Sequence, residues 1–128
     1  MNMNRFRNSC ERISLPDFSS EELLSSLKEL LKIDRQWIPS KIGHSLYIRP
    51  TAIADNSDLG VGYPNAGKIF IVCSPVGSYY PSGFAPINLY CENKGIRCAP
   101  GGSGCYKIGS NYGPTIQMSR LAEEKGFT

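Results

Sequence analysis

Apolar residues in this chain follow three successive regimes of spacing. In the first, Met3, Phe6, Cys10 and Ile13 recur at intervals of three and four, the stripe of a short helix over about 2–13, with Arg5, Arg7 and Arg12 elsewhere on the cylinder. Pro16 is expected to end that helix. Ser19 with Glu22 three residues on has the spacing of a capping box, and Leu23, Leu24, Leu27, Leu30, Leu31 and Ile33 then repeat with a 3.6 period, predicting a second helix over 20–33. After Trp37 the pattern changes to extended runs rich in β-branched and aromatic residues, predicting strands over 45–54, 68–76 and about 87–92. The loop between the first two strands is NSDLGVGYPNAG, and the connector after the second is GSYYPSGFAP. The last regime follows the glycine-rich CAPGGSGCYKIGSNYGP: a helix from Thr115 to Lys125, with Ile116, Leu121 and Ala122 as its buried positions.

The order of these elements divides the chain into 1–76, a connector at 77–86, and 87–128. A final helix of this kind normally returns to another strand, so the sequence reads as part of a larger α/β or α+β fold. Its 128 residues, 41% hydrophobic and 20% charged, hold enough apolar material for a core, which argues against wholesale disorder. Fourteen basic against eleven acidic residues give a net charge of +3, too small a bias to predict nucleic acid or an anionic membrane surface as partner. The longest apolar run, Ile69 to Cys73, is far short of the roughly 18 residues of a membrane span, and MNMNRFRN has no apolar signal region, so no membrane and no secretion are expected. Five cysteines, an odd number, point to reduced thiols in a cytosol-like compartment. Cys91, Cys98 and Cys105 recur every seven residues, but with His44 as the one histidine and no paired CxxC, no metal site is expected.

Candidate chemistry concentrates in Gly101-Gly102-Ser103-Gly104-Cys105-Tyr106-Lys107. Consecutive small residues let backbone N–H groups approach an anion, yet a nucleotide P-loop is excluded: Ile108 stands where magnesium needs Ser or Thr, and the Gly-to-Lys spacing is wrong. Lys107 between Gly104 and Gly109 is then either a surface lysine in a turn or a nucleophilic amine of the Schiff-base kind, which must be partly desolvated to react.

Three stretches, GHSLYIRPTAIADNSDLGVG, SPVGSYYPSG and RCAPGGSGCYKIGSNYGPT, occur in an order and at spacings that resemble the branched-chain amino acid aminotransferases, pyridoxal-phosphate enzymes of fold-type IV. With RFRNSCERISLPDFSSEELL the resemblance covers nearly the whole chain and corresponds to the middle of a full-length member, the remainder of the small domain plus the start of the large one. It implies that Lys107 is the catalytic, cofactor-bearing lysine, that Arg5 clamps the cofactor phosphate, and that Tyr112 contacts its phenolic oxygen. It implies further that Tyr47 and Arg49 line the substrate pocket, that Leu59 and Val61 cross a homodimer interface to the neighbouring subunit's pocket, and that Tyr79 lies in the interdomain loop over the substrate. Taken without the resemblance, Arg5 sits on a solvated helix face, Tyr112 packs, and Leu59 and Val61 anchor a loop. The implied function is transamination of leucine, isoleucine and valine with 2-oxoglutarate, with amino acids and 2-oxo acids as small-molecule partners, in the cytoplasm or mitochondrion. Alternatives are another fold-type IV enzyme such as a D-amino acid aminotransferase, against which SLYIRP and SPVG speak, or a non-catalytic remnant that keeps only a dimer-type surface. Ser110 departs from the family's usual glycine or alanine. The family's acidic partner of the pyridine nitrogen and the second half of its phosphate cup correspond to sequence past residue 128, so this chain alone is expected to be inactive.

Overall fold

A computed structural model describes residues 1–80, 83 and 85–127, and the chain divides into two compact units, Met1–Gly83 and Phe84–Thr128. Within the connector read at 77–86, positions 81, 82 and 84 lie outside the described residues.

The first unit opens with helix α1 (Asn2–Arg12) and helix α2 (Ser20–Ile33). Each stripe buries one residue, Cys10 in α1 and Leu27 in α2, and Phe6 of α1 packs on Phe18 in the turn before α2, with ring centroids 5.5 Å apart. Burial pushes the Cys10 thiol above its ordinary range, which keeps it protonated and inert. Pro16 does not stop α1. The helix closes earlier, at Ser14, whose φ of 57° turns the chain left-handed while Ser14 N–H donates to Glu11 O (2.9 Å) and Leu15 N–H to Cys10 O (3.0 Å). That is a Schellman closure with serine where glycine is usual. Arg7 then donates two bonds to the Asp17 carboxylate, at 2.6 and 2.5 Å, tying α1 to the turn that leads into α2. The predicted cap forms in its backbone half: Ser19 Oγ accepts from Glu22 N–H at 3.2 Å.

Strands β1 (Ser45–Ala54) and β2 (Gly67–Val76) pair antiparallel from Ser45↔Val76 to Ala54↔Gly67. Period-2 alternation splits the ribbon into two faces. Leu46, Ile48, Pro50 and Ala52 are half-buried with Ile69, Ile71 and Cys73, while Tyr47, Arg49, Phe70 and Val72 are exposed on the other face. Asp55 N–H donates to Ala66 O and Asn65 N–H to the Asn56 side chain, so the connecting loop is pinned at its base.

The second unit contains a 3₁₀ turn (Gly109–Asn111) and helix α3 (Gly113–Glu124). The third predicted strand, about 87–92, does not form. A strand needs a ladder partner, and no extended segment among the described residues pairs with it. Tyr90 packs on Phe127 instead, with centroids 5.7 Å apart, and the Glu92 carboxylate turns the chain by accepting from Lys94 and Gly95 N–H. Helix α3 starts two residues before the predicted Thr115 because Pro114, lacking an N–H, suits the first turn. Its inward stripe is Thr115, Met118, Leu121 and Ala122; Ile116, predicted buried, is 70% exposed, one step off that stripe. Gly126 (φ 78°) ends α3 by the same closure as α1, with Phe127 N–H donating to Ala122 O at 2.9 Å.

The two closures differ in one residue, since Ser14 carries a Cβ in the left-handed region and Gly126 does not. Ser14→Gly should therefore stabilise the first unit by about 0.5–1 kcal/mol in denaturant unfolding. An unchanged or lowered midpoint would show that the serine side chain contributes more than its backbone costs.

Candidate functional site

The second unit holds the chemistry-bearing loop, and its shape follows from residue types. Pro100 and Gly101 occupy the corner of a turn closed by Gly102 N–H to Ala99 O (3.1 Å), with Gly101 at φ 77°, the left-handed position that Pro-Gly favours. Gly104 passes against Cys98 so closely that a Cβ there would lie 2.0 Å from the cysteine's own Cβ. The next turn closes with Tyr106 N–H to Ser103 O at 3.0 Å, and Lys107 follows it. Ile108 is buried and acts as the apolar anchor between exposed Lys107 and the 3₁₀ turn.

That turn brings the chain back on itself. Tyr112, at the N-terminus of α3, returns its hydroxyl to the lysine five residues earlier, and Lys107 Nζ donates to Tyr112 Oη at 2.8 Å. The ammonium also stands 5.0 Å from the ring centroid, and the Arg97 guanidinium stands 5.8 Å from it. The hydrogen bond from Lys107 and its positive charge, with a smaller contribution from Arg97, hold the Tyr112 phenol below its usual range. The sign is fixed by charge: a cation next to a phenol favours phenolate. Both groups are open to solvent, so a ligand can reach the amine, and the described residues do not supply the partial desolvation expected of a Schiff-base lysine.

Of the site residues expected from sequence, the structure therefore joins Lys107 to Tyr112. In the first unit Arg5 lies exposed on α1 and its carbonyl accepts from the Ser9 hydroxyl at 2.9 Å. Tyr47 and Arg49 share the exposed face of β1, with the guanidinium 5.1 Å over the Tyr47 ring. Leu59 and Val61 project fully exposed from the loop between β1 and β2, and Tyr79 is exposed with its ring edge-on to Tyr80 at 4.8 Å. Among the described residues no group of His, Cys, Asp and Glu is placed to hold a metal ion, the five cysteines are unbridged, and no helix is long and apolar enough to cross a membrane.

Three residues near Lys107 were given no role of their own by the sequence reading: Arg97, Ser103 and Asn111. Asn111 is only 4% exposed; its Nδ2 donates to Ser103 O and Tyr106 O, and its Oδ1 accepts from Ser103 Oγ, each at 2.8 Å. The available signal was an amide side chain inside a glycine run whose backbone carbonyls need donors.

These features define an α+β chain that presents an exposed lysine amine hydrogen-bonded to a phenol at the start of a helix. No family model matches the chain. It is similar to the branched-chain-amino-acid aminotransferase of Dictyostelium discoideum, at 49% identity over 99% of this chain and 34% of that protein. It is also similar to the cytosolic enzyme of that name from Caenorhabditis elegans, at 46% over 98% of this chain and 30% of the relative, and to the mitochondrial one from Bos taurus, at 41% over 98% and 32%. The chain is thus similar, over nearly its whole length, to proteins named branched-chain-amino-acid aminotransferase, and it spans about a third of the length of the curated relatives it matches.

The close approach at Gly104 makes a sharp test of the loop. Gly104→Ala places a methyl group inside Cys98 and should cost about 1–3 kcal/mol of stability in the second unit, with faster amide exchange at Tyr106 and Asn111. Wild-type stability and exchange in this variant would mean that the loop passes Cys98 at a greater distance.

Proposed function

We propose that this chain forms the lysine-bearing part of a pyridoxal-phosphate aminotransferase of fold-type IV, acting on leucine, isoleucine and valine with 2-oxoglutarate. The observation that carries the reading is the accessible Lys107 amine hydrogen-bonded to the Tyr112 hydroxyl, in a chain related over nearly its whole length to enzymes of that name. On this reading Met1–Gly83 contributes to the small domain and Phe84–Thr128 begins the large one.

The residues present fit the cofactor by their chemistry. An exposed primary amine suits an aldehyde, and a phenol kept acidic by neighbouring cations suits a partner for the cofactor's own ring hydroxyl. Bound pyridoxal phosphate supplies the electrophilic aldehyde and an electron-withdrawing ring that acidifies the substrate's Cα–H. Lys107 would hold the cofactor and would carry the proton at the substrate's Cα as acid and base. Tyr112 keeps the amine oriented. Arg5 is the phosphate clamp, its planar fork matched to two oxygens. Tyr47, braced by Arg49, walls the side-chain pocket. An apolar pocket separates aliphatic side chains by only about 1–3 kcal/mol per methylene, so overlapping use of all three substrates follows.

Leu59 and Val61 support a homodimer. Two fully exposed aliphatic side chains on one loop are costly in water, and a partner subunit's substrate pocket is the proposed cover. The compartment is proposed as cytosolic or mitochondrial, the two forms found among the relatives.

Two measurements test the reading in the full-length protein. Borohydride reduction after incubation with pyridoxal phosphate should leave a pyridoxyl group on Lys107, located by peptide mass, and Lys107→Ala should leave none; attachment elsewhere, or none in the wild type, overturns the assignment. Arg5→Ala should weaken cofactor affinity by about 10–150-fold, the equivalent of losing about 1.5–3 kcal/mol of charge-assisted bonding. Unchanged affinity would return Arg5 to the solvated helix face.

A further inference from the structure

We propose that Asn111 is the positioning residue of this site: its buried carboxamide clasps the glycine loop so that Lys107 meets Tyr112. The proposal rests on the reading of Lys107 and Tyr112 as the working pair.

The loop has little of its own to hold it. Five glycines in the seventeen residues 98–114 leave the backbone free to sample many conformations, and few side chains are at hand to satisfy its carbonyls. Asn111 answers both needs at once. Both of its amide protons are used, one by the carbonyl of Ser103 and one by that of Tyr106, and its oxygen takes the Ser103 hydroxyl, all at 2.8 Å. Tyr106 immediately precedes Lys107, and Asn111 immediately precedes Tyr112. The bond from Asn111 to the Tyr106 carbonyl therefore joins the two backbone positions from which the amine and the phenol depart. It closes a loop from whose two ends those side chains project, and the 2.8 Å contact between them follows from that closure. An isosteric aspartate would keep the acceptor and lose both donors, setting a carboxylate oxygen against two carbonyl oxygens. Ser103→Ala removes only the third bond and leaves the bridge to Tyr106 in place.

The readout is the Tyr112 phenol, because the charged groups that face it among the described residues are Lys107 and Arg97, both in the same unit. In cofactor-free, full-length protein with labelled tyrosine, Tyr112 should titrate below the ordinary phenol range. It should move up in Asn111→Asp and also in Asn111→Leu, which loses the same donors without adding a carboxylate beside the phenol, to the value reached in Lys107→Met, while Ser103→Ala stays with the wild type. The Tyr90 signal, packed on Phe127, should not move in Asn111→Asp; that constancy separates a local release of Lys107 from general unfolding. A Tyr112 titration in Asn111→Asp that follows the wild type overturns the proposal, as does an equal upward move in Ser103→Ala. Should Asn111→Asp fail to fold, the wild-type carboxamide decides: its protons should exchange about tenfold or more slower than those of exposed Asn65, and equal rates overturn the clasp. Trapping at Lys107 is scored separately. Trapping with an unmoved Tyr112 defeats this proposal alone, and an Asn111 effect without trapping defeats the cofactor reading alone.

Discussion

Where the Lys107 amine points is fixed by a six-residue return from Lys107 to Tyr112, and the proposed chemistry depends on it. The return is short enough to put an amine and a phenol at 2.8 Å, and it is built of residues that would wander if left alone. Everything around it in the second unit serves to close it: the Pro100–Gly101 corner, the side-chain-free passage of Gly104 past Cys98, buried Ile108 as the apolar anchor, and Asn111 as the polar one. The electrostatics follow from the geometry, since the phenol is acidified because cations have been brought to its ring.

The first unit works by a different economy. Its helices bury Cys10 and Leu27, Phe6 of α1 packs on Phe18 in the turn before α2, and its ribbon keeps one face half-covered. The other face, with Tyr47, Arg49, Phe70 and Val72, is left open, and Leu59 and Val61 stand free at the loop. A surface so rich in aliphatic and aromatic groups is stable in water only at a cost, and wall and interface roles are what such positions supply in a pocket. The proposed roles of Tyr47 and Arg49 thus depend on one property, the period-2 alternation that puts them on the uncovered side of the ribbon, while those of Leu59 and Val61 depend on the loop that joins the strands.

Much of this was written in the sequence. Both strands and all three helices are local patterns: Ser19 caps because its oxygen reaches Glu22 N–H, Tyr47 and Arg49 share a face because they are two apart, and Lys107 stands out because glycines surround it. The motifs likewise pointed to the aminotransferase family before any contact was known. Where local reading failed, a distant or conformational condition governed. The run at 87–92 has strand composition and found no ladder partner; Ile116 is apolar and fell beside its helix's inward stripe; α1 stopped at a left-handed Ser14 and not at Pro16. The Lys107–Tyr112 bond, the Gly104–Cys98 approach and the Asn111 clasp were decided by tertiary structure alone. Composition and period fix which residues seek burial or a regular backbone, but which carbonyl an amide finds depends on chain closure that no spacing encodes.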